Sequence, residues 1–229
     1  MSQVSEREEE ERNVSIIQMM GNALKANVQA MFDKVDFDAE GKKLMLSLGI
    51  NESTHDEQGN LSAIFRHPGG GTIYVGNVYV AQSLSILEQF NIKGVVNCTH
   101  GHGALPNFHE GKPGAPKYYV FPISTWWTSL NATNASVYAF TDPMFSFITE
   151  MISQGNNVLV HCLAGAHRAG TTGCACLMHF AQMDQKTAIS TAKSLRPIID
   201  PIGTLPDFLR RLEQAQKERK EKEKAKNKP

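Results

Sequence analysis

The apolar run Val158-Leu-Val-His161 passes directly into Cys162-Leu-Ala-Gly-Ala-His-Arg168, and that in turn into a helical stretch from Thr171 to Gln182. A short uninterrupted apolar run reads as a strand covered on both faces, the kind found inside parallel sheets. A glycine between such a strand and a helix lets the backbone take torsions closed to other residues. The linking segment therefore predicts a tight loop at the carboxyl end of a buried strand, with Gly165 at its turn. In such a loop the successive backbone N–H groups face inward as an anion-binding nest, and the helix N-terminus adds its dipole. A tetrahedral oxyanion fits there, held by the amides of Leu163, Ala164, Gly165, Ala166, His167 and Arg168 and by the bidentate fork of the Arg168 guanidinium. These surroundings favour a thiolate, and a thiolate beneath a clamped phosphoryl group is placed for in-line attack. Cys162 is thus the candidate nucleophile and Arg168 the candidate clamp.

Strands and helices alternate through the rest of the chain. Thr72-Ile-Tyr-Val75, Gly94-Val-Val-Asn-Cys98 and Lys117 to Ile123 read as strands, and Ala81 to Phe90 reads as a helix. Asp142-Pro143 has the form of an N-cap followed by proline at the first helical position, opening a helix to about Ser153. Two more helices are expected at about 184–194 and 206–216. This order predicts an α/β fold: a central, mostly parallel twisted sheet flanked by helices on both faces, with an N-terminal helical extension. The extension, residues 1–71, comprises a charged leader, an amphipathic stripe (Val14, Ile17, Met20, Leu24, Val28, Met31) that packs on the catalytic domain or a partner, and a Pro68-Gly69-Gly70-Gly71 joint. Residues 72–216 form the catalytic domain and 217–229 a charged basic tail.

Composition narrows the function classes. A chain of 229 residues, 41% hydrophobic, supports one sizeable core. Lys+Arg and Asp+Glu balance at 23 each, so there is no electrostatic footprint for nucleic acid or a membrane surface. No apolar run approaches the length of a membrane span, and the acidic start (Glu6, Glu8 to Glu11) is unlike a secretory signal. The cysteines Cys98, Cys162, Cys174 and Cys176 are too few for a disulfide framework, which points to a reducing cytoplasm or nucleus. Cys98, Cys174 and Cys176 read as buried small hydrophobes; Cys98, ending a strand beside that of Cys162, has an alternative reading as a disulfide partner under oxidation. Asp36-x-Asp38-x-Glu40-Gly41 has the outline of a calcium loop, but Ser47 stands where a bidentate Glu is required, so no metal is expected. No cofactor is expected either, and the oligomeric state is left open.

The segment around Cys162 resembles the His-Cys-x5-Arg signature of the protein tyrosine phosphatase superfamily, and its Ala164-Gly165 and neutral loop residues are similar to the dual-specificity branch. Ile73-Tyr-Val-Gly76 is similar to that family's entry strand, Val95-Val-Asn-Cys-Thr99 to its central strand, and Lys193-Ser-Leu-Arg-Pro-Ile-Ile-Asp-Pro201 to the segment before its final helix. The resemblance implies hydrolysis of phosphotyrosine, and of phosphoserine or phosphothreonine, on a phosphorylated protein substrate through a phosphocysteine intermediate. It further implies that His161 hydrogen-bonds locally and tunes the cysteine, and that Asn97 braces the phosphate loop.

Two positions depart from the pattern. Ala169 replaces the Ser or Thr whose hydroxyl stabilises the departing thiolate; Thr171 and Thr172 carry hydroxyls but are displaced along the chain. Thr125 falls where the family places an Asp general acid, a role that contributes ~10²–10⁴-fold. Asp142, the next acid along the chain, is read as a helix cap. His167 is read as a solvated residue at the loop mouth, with a second proton donor as the alternative, and Trp126-Trp127 as either a substrate-stacking wall or loop packing. The sequence therefore supports a slow phosphatase and, as the alternative, a phosphate-binding pseudophosphatase that serves as an interaction module.

Overall fold

The computed structural model describes residues 35–51, 60–101 and 103–226. The Val14 to Met31 stripe lies outside the described residues. The chain divides into two compact units, Met1–Asp36 and Phe37–Pro229, and the elements below belong to the second. They are α1 (Phe37–Ser47), β1 (Leu61–Arg66), β2 (Thr72–Gly76), α2 (Val78–Gln82), α3 (Leu84–Gln89), β3 (Ile92–Asn97), β4 (Lys117–Val120), a 3-10 turn (Ile123–Thr125), α4 (Trp126–Ser129), α5 (Asn134–Ser153), β5 (Asn157–His161), α6 (Arg168–Phe180), α7 (Gln185–Leu195) and α8 (Leu205–Lys226).

The strands form one sheet in the order β1-β2-β5-β3-β4. β2–β5, β5–β3 and β3–β4 are parallel, and β1 pairs with β2 antiparallel. The expected mostly parallel sheet with helices on both faces is present. Side chains alternate across it, as the two-residue period of a strand requires. Ile73, Val75, Val96, Val158 and Val160 enter one cluster with residues of α5, α6 and α8, while Tyr74, Val95 and Leu159 face α2 and α3 on the other side. β1 belongs to the sheet, although the sequence assigns it to the extension before the glycine joint. The joint is a tight turn: His67 N–H donates to the Gly71 carbonyl at 2.8 Å.

The strand ends locate the site. The registers Gly76↔His161, Asn97↔His161 and Asn97↔Val120 bring the carboxyl ends of the parallel strands to one edge. In open α/β sheets that edge is where ligands bind. From there the chain turns at Cys162 and returns as α6, which lies so close to the sheet that a Cβ on Gly173 would stand 2.8 Å from Val75.

Two helices differ from expectation. The Ala81 to Phe90 stretch is broken at Ser83, which ends α2 and caps α3 by accepting from Ile86 N–H. The helix expected to open at Asp142-Pro143 instead begins at Asn134, with Pro143 inside it. A mid-helix proline costs about 3 kcal/mol, but Val137, Thr141, Met144, Phe145, Ile148, Met151 and Ile152 form a buried stripe on both sides of it. That burial outweighs the lost hydrogen bond. Asp142 is accordingly not a cap; it pairs with Arg219 of α8 at 3.2 Å.

α8 closes the core through Leu205, Phe208, Leu209, Leu212 and Ala215. Phe208 packs against Phe121, Trp126 and Phe140. Phe208→Ala is expected to cost about 3–5 kcal/mol in urea unfolding, as for a fully buried aromatic; a loss under about 1 kcal/mol would mean that α8 is peripheral to the core.

Candidate active site

Residues 162 to 167 link the end of β5 to the start of α6, and the loop is held from outside by its own carbonyl groups. The Leu163 carbonyl accepts from Val78 N–H at 2.9 Å, and the Ala166 carbonyl from Asp200 N–H at 3.2 Å. Between them, the buried Arg196 guanidinium donates from Nε to the Gly165 carbonyl (2.9 Å) and from Nη2 to the Ala164 carbonyl (3.2 Å). In a trans peptide the C=O of one residue and the N–H of the next point to opposite sides. Carbonyls 163 to 166 turned outward therefore turn the amides of Ala164, Gly165, Ala166 and His167 inward. None of those amides donates to a protein group among the described residues. Four successive amides so turned make a concave, electropositive cradle.

Gly165 makes the turn possible. Its φ is +67°, and a Cβ there would stand 2.4 Å from the Gly76 carbonyl oxygen. Both the torsion and the contact admit glycine alone.

Arg168 opens α6 and is buried. Burial opposes its charge, but Cys162 and the Asp38 carboxylate more than compensate and hold the guanidinium above its usual pKa. Burial also works against Arg196, whose pKa falls to about 10 despite the influence of Cys162. Two guanidiniums thus flank the loop, both charged at neutral pH. Arg196 was not singled out in the sequence; its signal was its place in the Leu195-Arg-Pro197 segment that ends α7.

The supporting residues are placed as follows. His161 is fully buried, and neither ring nitrogen has a hydrogen-bond partner among the described residues. Burial lowers its pKa to about 4, reinforced by the Arg168 charge, so the ring is neutral. Asn97 lies at the strand edge and holds the loop after β3. Its Nδ2 donates to the Leu105 carbonyl (2.9 Å) and to Asn107 (3.2 Å), and its Oδ1 accepts from Thr99 N–H (3.0 Å). Those bonds run to residues 99–107, and none runs to residues 162–168 among the described residues. His167 is buried, not solvated, because its Nδ1 is bonded to the Asp200 carbonyl at 2.7 Å.

Thr125 ends the 3-10 turn with its hydroxyl donating to the Pro122 carbonyl at 3.2 Å. Trp126 is loop packing: its indole N–H donates to Thr204 Oγ1 at 3.2 Å, and Trp127 stacks edge-on against it. Ala169 is buried, and the nearby hydroxyls are committed to helix carbonyls, Thr171 to His167 (2.7 Å) and Thr172 to Arg168 (3.0 Å). Cys98, Cys174 and Cys176 are buried free thiols, each with its pKa raised by burial. Cys98 donates to Thr172 Oγ1 at 3.3 Å. The Asp36 to Ser47 segment is not a loop: from Phe37 on it is helix α1, and its Asp38 engages Arg168.

Residues 73–218 match the family model for the dual specificity phosphatase catalytic domain, and the chain belongs to that family. It is 34% identical to the human dual specificity protein phosphatase 6 over 144 residues, covering 61% of this chain and 35% of that protein. It is 31% identical to the human dual specificity protein phosphatase 9 over 185 residues, covering 79% and 46%. The chain thus spans between about a third and a half of the length of these relatives. Among solved structures, human DUSP28 superposes with a TM-score of 0.52 at 19% identity, covering 69% of this chain and 95% of that one. The human tyrosine phosphatase-like serine/threonine/tyrosine-interacting protein superposes at 0.53 and 20% identity, covering 68% and 97%. These likenesses concern the fold.

Gly165→Ala is expected to lower stability by about 1–3 kcal/mol and to abolish binding of inorganic tungstate measured by calorimetry; unaltered binding would mean that the loop does not need its left-handed turn. His161 adds a pH dependence. The unfolded chain takes up a proton there near pH 6.5 and the folded chain only near 4, so stability falls as pH drops through that window. Between pH 7 and pH 5 the loss is about 2 kcal/mol. Urea unfolding of His161→Gln should show a correspondingly smaller loss over the same interval.

Proposed function

We propose that this chain is a cysteine-dependent phosphatase of low turnover, hydrolysing phosphotyrosine, and phosphoserine or phosphothreonine, on proteins of the cytoplasm or nucleus. The observation that carries this reading is the set of inward-facing amides from Ala164 to His167, lying between Cys162 and the Arg168 guanidinium. Inward amides and a guanidinium neutralise the three non-bridging oxygens of a phosphoryl group and hold phosphorus above the sulfur. The Cys162 thiolate attacks phosphorus, the S–P bond forms, and the P–O bond to the substrate breaks. The departing oxygen then needs a proton. Thr125 does not supply one, so leaving groups that are stable as anions, such as phenolates, depart more readily than alkoxides. Water next attacks the phosphocysteine, and the S–P bond breaks to return the thiolate and release phosphate. Ala169 offers no hydroxyl to the returning sulfur, and the Thr171 and Thr172 hydroxyls are already donated to carbonyls.

Thr125 and Ala169 also favour a second reading, in which the same loop captures phosphorylated partners with negligible turnover. Hydrolysis of an aryl phosphate and of a phosphotyrosine peptide by the native protein and by Cys162→Ser separates the two. Phosphate release by the native protein alone is expected. Equal rates from both proteins would overturn the phosphatase reading, and tungstate binding without hydrolysis would assign the capture role. A burst of leaving group followed by a stall would place the slow step at the phosphocysteine, where Ala169 stands.

A further inference from the structure

α1 lies along the phosphate loop and takes hold of its clamp. Both carboxylate oxygens of Asp38 engage Arg168, Oδ1 on Nη2 and Oδ2 on Nη1 at 3.5 Å. The Phe37 ring covers the same guanidinium, with 5.8 Å from its central carbon to the ring centroid. One turn further, Gly41 faces Leu163 and Ala164, where a Cβ would stand 3.6 Å from side-chain atoms of both. Another turn on, Met45 is buried in a cluster with Val78, Ala164 and Ala166. Beneath this helix Cys162 is 3% and Arg168 4% exposed. Meanwhile Arg168 Nε has no hydrogen-bond partner among the described residues, although a buried guanidinium N–H left unpaired is costly.

A carboxylate and a phosphoryl group present the same pair of oxygens to an arginine fork, and one fork cannot hold both. We propose that α1 is a displaceable plug on the active site, with Asp38 occupying the Arg168 fork in place of the substrate's phosphoryl oxygens. An incoming phosphate takes the Nη pair and supplies an acceptor to Nε, and α1 lifts from the loop. The helix is lightly held: Gly41 and Met45 are its fully buried residues, Phe37 and Leu44 are half-buried, and Leu46 is 81% exposed. A helix with so little buried area opens at low cost. The inference rests on residues 162–168 being an oxyanion site and does not require that the site turn over.

The test uses the full chain, with calorimetric titration of inorganic tungstate and steady-state hydrolysis of p-nitrophenyl phosphate, for the native protein, Asp38→Ala and Gly41→Leu. Leucine at 41 extends past the contact distance and wedges the helix from the loop without altering any group of the nest. Removing the competitor is expected to tighten tungstate binding about ten- to a hundredfold and to lower KM by a similar factor, with kcat not reduced. Hydrogen exchange over residues 37–47 of the native protein should speed up on tungstate binding. Unchanged tungstate affinity in both variants would overturn the plug, as would unchanged exchange. A fall in kcat for Asp38→Ala, with loss of the basic limb of its pH profile, would make Asp38 a proton donor and overturn it too. Tungstate affinity is independent of turnover. If neither the native protein nor the variants hydrolyse the aryl phosphate, the phosphatase reading fails while the plug is still decided by binding.

Discussion

The outward capture of the loop carbonyls is the constraint on which the site depends. A backbone polar group buried without a partner is expensive, and residues 163 to 166 present four carbonyls in a row to the protein interior. Three separate segments answer them: the start of α2 through Val78, the end of α7 through Arg196, and the following turn through Asp200. With every carbonyl committed, the amides have one remaining direction. The cradle is thus a by-product of satisfying the backbone on its far side. The same bonds explain how Arg196 tolerates burial, since a guanidinium taken out of water needs acceptors as much as the carbonyls need donors.

The sheet brings those segments together. β5 is the central strand, and the strands beside it end in register with His161. Gly76 closes β2 so near Gly165 that no side chain fits between them. α6 begins where the loop ends, and its small residues let it settle close on the sheet. Cys162, the inward amides and Arg168 therefore derive from one strand–loop–helix unit, while their rigidity derives from elements distant in the chain.

The surroundings of Thr125 and Ala169 are equally set by packing. The turn after β4 is shaped by packing: Ile123 and Trp126 are buried, and the Trp126 indole is bonded to Thr204. Thr125 is left with its hydroxyl on a carbonyl of its own turn. At the start of α6, Ala169 is sealed in the core, and the threonines beyond it cap carbonyls one helical turn back. The hydroxyls of Thr125, Thr171 and Thr172 are thus all donated to backbone carbonyls.

Much of this was legible in the chain. The apolar run ending at His161, the glycine of the loop and the arginine at the helix start are local signals, because strand, turn and helix preferences act over a few neighbouring residues. They were sufficient for the fold class and for the strand–loop–helix unit that carries Cys162 and Arg168. Pro143 misled it, since a proline's local cost is set against burial on both sides that only packing reveals. β1 and α1 were missed because their patterns are short and half-polar. The partners of Arg196 and Asp38 could not be read from the sequence. The first lies 31 residues from the carbonyl its Nε holds and the second 130 from its arginine, and no local preference encodes a partner at that distance. The sequence by itself determined the strand, the glycine turn and the helix start that carry Cys162 and Arg168. Tertiary structure decided what holds the loop carbonyls outward and what the Arg168 guanidinium pairs with, because buried charges and carbonyls find their partners only once the chain has packed.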